Sequence, residues 1–587
     1  MELDRYEFEV LLSQLNEGTQ TQREIAESAG ISLGSVNKAL KSCKANGFID
    51  DAGAVTNAGR EALSPYKVDS AIILAAGSAT RMAPLSFEKP KALFEVQGEI
   101  LIERLIRQIQ DAGISDISVV TGHMKESFFY LGEKFGVRII PSSCYANRNN
   151  HSSLLLARDY LKNSYICASD QYLVESPFKA YEYEAYFPVM KSPDDVRVRA
   201  VTWDKQGIIQ GMERKAGWFP RGPVFFDQES SEKIIDIIDE EYDFHETKRK
   251  LWDTMFLEHA SEFTVRAKQY HPGEIYEFDK LPDLLAFDRD FLVNVDSAIL
   301  DNICKTLSCE RTDITQVTPL KTGLTNLSVL FSCKGERYVY RHPGTGTDEI
   351  INRQAETFAL NAAKRLGLDE TFLYENPEEG WKISHYLEGC QEFDYRNLEQ
   401  VRQALQLIRR LHDSDEVSPW SFDFYEATLD ILDLLDDLSY PLPSDFAKLK
   451  KSAGEVARAM KADQGKPCLC HNDFYGPNLL VHGDDMWVID WEYAAMGDWA
   501  CDLGNFVAQG SGYSVEEATS MLKLYFDRQP TTQEVRHCIA AVGLVGFYWY
   551  VWAMYKEAMG NPVGEWLYTW YKAANSFLAE AKTLYEV

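Results

Sequence analysis

The chain has 587 residues, of which 45% are apolar and 26% charged, the composition of an ordinary globular protein. Its length predicts about three to five domains, and its composition excludes a disordered, collagen-like or coiled-coil chain. Acidic residues outnumber basic ones by 90 to 60, giving a formal net charge of −30. A field of this sign repels nucleic acid and anionic membranes, so a phosphate-binding site must be built locally.

Three further features predict a soluble cytoplasmic protein. The 11 cysteines are scattered without a Cys-x-x-Cys pair, which indicates reduced thiols. Residues 1–5 contain no basic region followed by an apolar run, so no signal peptide is expected. The apolar stretch from Ala540 to Tyr555 is shorter than a bilayer span and rich in Trp and Tyr, which predicts a buried helix.

The first block, residues 1–66, has the pattern of three helices followed by a hairpin. After an amphipathic helix, Thr21 and Glu24 form a capping box that opens a second helix, and Ser32 caps a third. Residues 48–55 predict two short strands around a turn. This order resembles a winged helix-turn-helix, a shape used by many bacterial regulators.

The charge of this block bears on whether it binds DNA. Residues 1–65 contain six basic and ten acidic side chains, a net charge of −4. Lys38, Lys41 and Lys44 share one face of the third predicted helix, the helix that would enter a major groove. Because affinity for DNA grows with the number of neutralised phosphates, this patch predicts weak binding. We therefore expect a docking or regulatory module with DNA as a weak partner; a palindromic site read by a dimer is the alternative.

The second block, residues 67–291, alternates apolar strands with amphipathic helices. Such alternation predicts a doubly wound, Rossmann-like α/β sheet with ligands at the carboxyl ends of its strands. The first strand runs from Ser70 into a loop of small residues whose backbone N–H groups can approach a triphosphate. The residues of that loop are Ala76, Gly77 and Ser78. Arg81 and Lys91 can neutralise the charge that develops during phosphoryl transfer.

This loop, together with the Lys-Pro-Lys-Ala-Leu segment at residues 89–93, resembles the nucleotidyltransferases of the sugar-nucleotide pyrophosphorylase type. Within them, it is most similar to bacterial choline-phosphate cytidylyltransferases, which implies CTP and phosphocholine as substrates. The resemblance also covers short segments further along the chain, and it implies roles for five residues in them. It implies that Asp170 and Asp279 hold Mg²⁺, that Asn150 and Ser153 contact the nucleotide or phosphocholine, and that Trp252 contacts the substrate.

Two positions depart from the pattern of these nucleotidyltransferases. Ala79 stands where the family loop usually has a second glycine, and Ala168 stands where a further aspartate is common. An alanine in the loop is tolerated if its φ is negative. The missing aspartate implies that few metal ligands remain.

The third block, residues 292–587, opens with a helix, continues with a β-rich segment and ends in long helices. This order predicts a protein-kinase-like domain of two lobes with a cleft between them. Asp473, Asn478 and Asp490 follow one another in the order of the kinase phosphoryl-transfer residues. In that order the first aspartate accepts the proton of the substrate hydroxyl, and the asparagine and the second aspartate bind Mg²⁺.

The third block resembles the choline/ethanolamine kinases, relatives of the aminoglycoside phosphotransferases, over about residues 317–581. The resemblance implies two sets of binding residues. For the nucleotide they are Gly323, Thr325, Asn326, Arg341 and Glu356; for the alcohol they are Glu492, Trp549, Trp552 and Tyr568. Aromatic faces of this kind attract a quaternary ammonium group.

Two transferases in one chain are explained if one makes the substrate of the other. The expected function is the phosphorylation of choline with ATP, followed by the transfer of CMP from CTP to phosphocholine to give CDP-choline. Ethanolamine, or a sugar phosphate in the second block, is the alternative among enzymes. A metabolite-sensing regulator is the alternative of another class, although a sensor need not keep complete sets of metal ligands.

Overall fold

In the computed structural model, the described residues are 2–18, 20–192, 198–320, 327–344 and 351–587. The chain divides into two units, Met1–Leu300 and Asp301–Val587. The helices up to this division are α1 (Arg5–Glu17), α2 (Gln22–Ser28), α3 (Leu33–Ala45), α4 (Asn57–Leu63), α5 (Leu101–Asp111), α6 (Tyr130–Phe135), α7 (Asn150–Leu156), α8 (Gln228–Glu241), α9 (Trp252–Glu258), α10 (Leu281–Phe287), α11 (Phe291–Asn294) and α12 (Ala298–Leu307), the last of which crosses it.

The strands of the first unit are β1 (Ser70–Ala75), β2 (Glu95–Val96), β3 (Glu99–Ile100), β4 (Asp116–Thr121), β5 (Arg138–Pro141), β6 (Ser164–Ala168), β7 (Gln171–Leu173), β8 (Tyr186–Lys191), β9 (Val198–Trp203), β10 (Ile209–Lys215), β11 (Trp218–Pro220), β12 (Val224–Phe226), β13 (Arg266–Tyr270) and β14 (Ile275–Glu277).

The N-terminal helices begin at the predicted caps. The side chain of Thr21 accepts a hydrogen bond from the backbone N–H of Glu24, whose carboxylate accepts one from the N–H of Thr21, so the capping box is confirmed. Ser32 caps α3 through a single bond to the backbone, in which its hydroxyl accepts from the N–H of Ser35. The predicted hairpin is reduced to a single β-bridge between Ile49 and Val55.

An aromatic cluster joins this N-terminal block to the rest of the first unit. The ring of Phe8 lies 5.2 Å from that of Tyr66, and Tyr66 stacks on Tyr183 at 5.6 Å. The hydroxyl groups of both tyrosines bond to the backbone of Leu3, which is itself buried. The helical block and the sheet of the first unit therefore share buried surface.

The large sheet of the first unit has the strand order β11-β8-β12-β6-β1-β4-β5, with β13 beside β8. β1 is parallel to both β4 and β6, as expected for a doubly wound sheet. Ile73 packs into the core on one face, and Ile72 into the core on the other, because successive strand residues point to opposite faces. Burial on both faces explains why β1 is a continuous apolar run.

The second unit contains eight further helices among its described residues. They are α13 (Arg353–Arg365), α14 (Leu398–His412), α15 (Phe424–Asp437), α16 (Phe446–Met460), α17 (Trp499–Ala508), α18 (Val515–Phe526), α19 (Thr532–Ala558) and α20 (Glu565–Tyr585). Its strands are β15 (Ile314–Leu320), β16 (Leu327–Cys333), β17 (Glu336–His342), β18 (Phe372–Glu375), β19 (Lys382–His385), β20 (Cys468–Cys470), β21 (Leu479–His482), β22 (Asp485–Val488) and β23 (Ala495–Gly497).

The order of these elements gives two lobes. One lobe contains α13 and an antiparallel sheet of order β15-β16-β17-β19-β18. In the other, the remaining helices pack around two two-stranded sheets, β20–β23 and the hairpin β21–β22. Among the described residues one helix, α19, is long and apolar enough to cross a bilayer, and its most apolar stretch is wholly buried in the unit. This agrees with the buried helix predicted for Ala540 to Tyr555.

Candidate active sites

A cavity of about 360 Å³ opens at the carboxyl ends of β1 and β6 in the first unit, where ligands bind in doubly wound sheets. Eight of the predicted residues line it: Ala76, Gly77, Lys91, Asn150, Ser153, Asp170, Trp252 and Asp279. Ser78 and Arg81 are not among its lining residues, and both are exposed. The cavity therefore gathers most, but not all, of the residues that the sequence indicated.

The loop after β1 is held by close backbone contacts. The N–H of His123 donates to the carbonyl of Ala76 at 3.1 Å. A Cβ atom on Gly122 would lie 2.6 Å from that carbonyl oxygen, so glycine is required there. Ala79 has φ of 50°, in the left-handed region, which costs a non-glycine residue about 1–2 kcal/mol. Ala79 therefore does not have the negative φ at which an alanine is tolerated without strain.

Three carboxylates meet at one end of the cavity. Oxygens of Asp170, Glu277 and Asp279 lie within 4.8 Å of one another, and Lys91 Nζ lies 2.5 Å from Oδ2 of Asp170. Burial, and then the charge of Asp170, raises the pKa of Glu277 to about 7. An all-oxygen set with a surplus of negative charge suits a hard divalent cation, so the residues present fit such an ion.

Glu277 was not among the residues predicted from the sequence. It is the last residue of β14, and Asp279 lies two positions beyond it in the following loop. β14 pairs with β7 so that Glu277 stands opposite Gln171, whose Nε2 donates to Glu277 Oε2 at 2.9 Å. The spacing of the two acids was the available signal.

Another part of the cavity lining combines an indole with a carboxyl group. Asn150 Oδ1 accepts a hydrogen bond from the backbone N–H of Trp252 at 2.9 Å and so fixes the start of α9. Trp252 is buried, and the neighbouring Asp253 lines the cavity. Burial raises the pKa of Asp253. A cationic group would be stabilised between this aromatic ring and this carboxylate.

In the second unit the proposed base is held by two amides. Asp473 Oδ1 accepts from Gln509 Nε2 at 2.7 Å, and Oδ2 accepts from Asn478 Nδ2 at 3.0 Å. Burial raises the pKa of Asp473 well above its ordinary value, which makes the carboxylate a stronger base. Because the amide nitrogen of Asn478 is used in this way, its amide oxygen is left for a metal.

The loop that carries Asp473 is ordered by another aspartate. The carboxylate of Asp502 accepts from the backbone N–H groups of His471 and Asn472 at 2.8 and 2.6 Å, and from His412 Nε2 at 2.9 Å. Asp502 is completely buried. These buried bonds therefore fix the backbone of the loop, and they do not involve the carboxylate of Asp473 or the amide of Asn478.

The structure brings Arg341 to both Glu356 and Asp490. Arg341 Nη2 lies 2.5 Å from Glu356 Oε1, and Nη1 lies 3.3 Å from Asp490 Oδ1 and 3.9 Å from Glu492 Oε2. The arginine expected to pair with the nucleotide phosphates is thus beside the aspartate expected to hold the metal. Gly323, Thr325 and Asn326, the remaining residues predicted to bind the nucleotide, lie outside the described residues.

The predicted aromatic residues do not all lie together. Trp549 and Trp552 are buried with ring centroids 5.4 Å apart, and Trp549 Nε1 donates to Asn505 Oδ1. Tyr568 is 61% exposed, whereas Trp570 lies 5.7 Å from Trp549. Residue 568 lies two positions before Trp570 on α20, so the two side chains point to different sides of the helix. The structure therefore does not place Tyr568 with the tryptophans.

A nucleotidyltransferase sheet in the first unit and a two-lobed phosphotransferase fold in the second define a chain with two transferase domains. Residues 71–210 match the MobA-like NTP transferase domain, residues 316–537 the phosphotransferase enzyme family, and residues 10–79 the family described as wHTH-PRTase associated. These matches confirm the expected multidomain α/β fold class.

Each of the individual relatives matches only one of the two transferase domains. The choline-phosphate cytidylyltransferase of Streptococcus pneumoniae is 36% identical over 36% of this chain and 94% of its own length. The 2-aminoethylphosphonate cytidylyltransferase of Lancefieldella rimae is 27% identical over 38% of this chain and 93% of its own length. Protein LicA of Haemophilus influenzae is 26% identical over 44% of this chain and 99% of its own length.

The chain belongs to the choline-phosphate cytidylyltransferase family, and it carries a phosphotransferase domain and a winged helix-turn-helix domain in addition. The resemblances recognised in the sequence are thereby confirmed.

Proposed function

We propose that the chain is a bifunctional enzyme that phosphorylates choline with ATP and transfers CMP from CTP to phosphocholine, giving CDP-choline and pyrophosphate. The carrying observation is that one chain holds two separate sets of acidic and basic residues, each fitted to one of the two transfers. Three domains, at residues 1–66, 67–291 and 292–587, and a cytoplasmic location are part of the proposal.

In the kinase reaction Asp473 accepts the proton of the choline hydroxyl as its oxygen bonds to the γ-phosphorus and ADP leaves. Asn478 and Asp490 would hold Mg²⁺, which neutralises charge on the transferred phosphoryl group. Arg341 pairs with the nucleotide phosphates through the edge that faces Asp490. Glu492 lies on the same side and supplies a negative charge for a cationic alcohol.

In the cytidylyl transfer a phosphate oxygen of phosphocholine bonds to the α-phosphorus of CTP and pyrophosphate leaves. Asp170, Glu277 and Asp279 would hold Mg²⁺ against these phosphates, and Lys91 stabilises the developing charge. The loop at Ala76 and Gly77 binds the triphosphate through its backbone, and Ser153 lines the same cavity. The ammonium group is bound between Trp252 and Asp253.

The test is incubation of the purified chain with choline, ATP, CTP and Mg²⁺, followed by mass spectrometry of the products. Phosphocholine is expected with ATP alone, and CDP-choline when CTP is added. Ethanolamine is supplied in a parallel sample for the kinase. Phosphocholine, 2-aminoethylphosphonate and a sugar phosphate are supplied separately for the cytidylyl transfer. A faster reaction with one of the competing substrates would contradict the choline assignment.

We assign the N-terminal block a docking or regulatory role, with weak affinity for DNA. Lys38, Lys41 and Lys44 are exposed on α3, but Lys44 Nζ also bonds to the backbone of Asp51 in an acidic turn. Binding to duplex DNA of random sequence should be negligible at about 0.15 M salt. A sharp, salt-resistant site recovered from a genomic DNA pull-down would contradict this assignment.

A further inference from the structure

The guanidinium group of Arg341 is held by a carboxylate that the proposed kinase site does not yet account for. Glu375 Oε1 accepts from Arg341 Nη2 at 3.0 Å, on the same edge of the guanidinium as Glu356. The side chains of both glutamates are fully buried, and that of Arg341 is 7% exposed. Two carboxylates thus converge on one nitrogen, and Nη1 is directed towards Asp490.

Glu375 also connects Arg341 to the helix that carries Glu356. Its second oxygen, Oε2, accepts from Thr357 Oγ1 at 2.8 Å. Thr357 is on α13, next to Glu356, whereas Glu375 ends β18 and Arg341 is on β17. One side chain therefore ties a sheet strand to α13 at the position where the arginine is bound.

Glu356 by itself is a less selective partner for the arginine. It also bonds to Arg353 Nη1 at 3.1 Å and lies 3.5 Å from Lys382 Nζ, so three cations share its carboxylate. A guanidinium held through one shared carboxylate can pivot, because a single contact does not fix the plane of the fork. A second acceptor on the same edge removes that freedom and leaves the opposite edge for phosphate.

We propose that Glu375 is a positioning residue of the kinase site, which orients Arg341 so that its Nη1 edge faces the nucleotide phosphates. The inference rests on the proposed kinase function and adds a residue that acts through Arg341 without touching the substrate. Removal of the Glu375 side chain should weaken nucleotide binding, because Arg341 would then also adopt orientations in which Nη1 does not contact the phosphates.

The surroundings of Glu375 also predict a pH dependence. The charged and titratable groups that face it are Arg341 from β17, Glu356 from α13 and Lys382 from β19. Burial, and then the charge of Glu356, raises the pKa of Glu375 to about 8. Glu375 is therefore mostly neutral at neutral pH and gains a negative charge as the pH rises through this value. That charge lies against Arg341 and reduces the attraction of the site for phosphate, so affinity for ATP should fall at alkaline pH.

The experiment measures binding of a non-hydrolysable ATP analogue with Mg²⁺ to the full-length chain by calorimetry. Saturating CTP is present throughout to fill the other nucleotide site. Wild type should bind several-fold more weakly at about pH 9 than at about pH 7, and Glu375→Gln, which cannot ionise, should lose that pH dependence. Glu375→Ala should bind about tenfold more weakly than wild type at about pH 7, because it loses a charge-assisted contact, and it should also lose the pH dependence, because alanine cannot ionise.

Glu378→Gln is the matched control, since Glu378 is an exposed carboxylate on the same connection between β18 and β19. It should behave as wild type, and thermal unfolding shows whether each variant is folded. An unchanged pH dependence in folded Glu375→Gln, or wild-type affinity in folded Glu375→Ala, would overturn the inference. Wild type that fails to bind the analogue would instead refute the proposed kinase function.

Discussion

The ammonium group of Lys91 lies 2.5 Å from Oδ2 of Asp170 in the transferase cavity. Glu277 and Asp279 lie beside the same carboxylate. A divalent cation bound by the three acids would compete with Lys91 for Asp170 and leave the ammonium group for the phosphates. The pair therefore marks the point where the metal and the triphosphate are expected to meet.

Asp170→Ala should stop the release of pyrophosphate from CTP and phosphocholine while choline is still phosphorylated. The reason is that the cluster loses one of its three described carboxylates, and the common additional aspartate is replaced by Ala168. A coupled pyrophosphate assay measures the loss, and Asp159→Ala, at an exposed position nearby in sequence, is the control. Pyrophosphate release close to the wild-type rate would show that the metal assignment is wrong.

Stabilisation of the transferase domain by a divalent cation should be stronger at about pH 8 than at about pH 6. The raised pKa of Glu277, about 7, means that the carboxyl group is protonated below that value and cannot bind the ion. For the metal-free protein the sign is the reverse, because a raised acid pKa gives stability at low pH that is lost as pH rises through it. Thermal unfolding with and without Mg²⁺ measures both effects. Glu277→Gln should reduce the pH dependence; an unaltered difference would contradict the role of Glu277.

Asp473→Asn should lower the rate of choline phosphorylation by about 10²- to 10⁴-fold, the usual contribution of a general base. Formation of CDP-choline from added phosphocholine should continue, because Asp473 and Asp170 belong to different units. Asp484→Asn, an exposed aspartate on the β21–β22 turn, is the control. Loss of both activities in a folded Asp473→Asn variant would refute the two-site proposal.

Ala79→Gly should raise the free energy of unfolding by about 0.5–1 kcal/mol. Ala79 has φ of 50°, and the relief of about 1–2 kcal/mol of left-handed strain exceeds the added chain entropy of a glycine, about 0.5–1 kcal/mol. Denaturant unfolding followed in the first unit measures the change. A less stable variant would mean that the alanine methyl group makes contacts worth more than the strain.

Tyr568→Ala should leave the KM for choline unchanged, whereas Trp549→Phe should raise it. Tyr568 is 61% exposed, and Trp549 is 4% exposed and bonded to Asn505, whose Oδ1 also accepts from Gln509. Gln509 contacts Asp473, so Trp549 is connected to the proposed base by buried hydrogen bonds. Steady-state kinetics at varied choline concentration measures both effects. A raised KM in Tyr568→Ala alone would show that α20 turns its other face to the substrate.

Features carried by a short stretch of chain could be predicted from the sequence. The capping box at Thr21 and Glu24 depends on residues three positions apart, and the run of apolar residues in β1 is buried on both faces as its pattern indicated. Asp473 and Asn478 are similarly close in sequence and meet through one hydrogen bond. Local spacing is sufficient in these cases because backbone geometry fixes the distance between nearby residues.

Tertiary structure alone decided which distant side chains meet. The register of β7 against β14 brings Glu277 into the cluster with Asp170, and the strand order β17-β19-β18 brings Glu375 to Arg341. Neither contact follows from local spacing, because the partners are separated by whole strands and helices. The sequence by itself determined the fold class and the family, and it indicated most of the residues proposed for both sites. The addition of Glu277 to one charge cluster and of Glu375 to the other was decided by strand register and strand order. These depend on how the entire core packs.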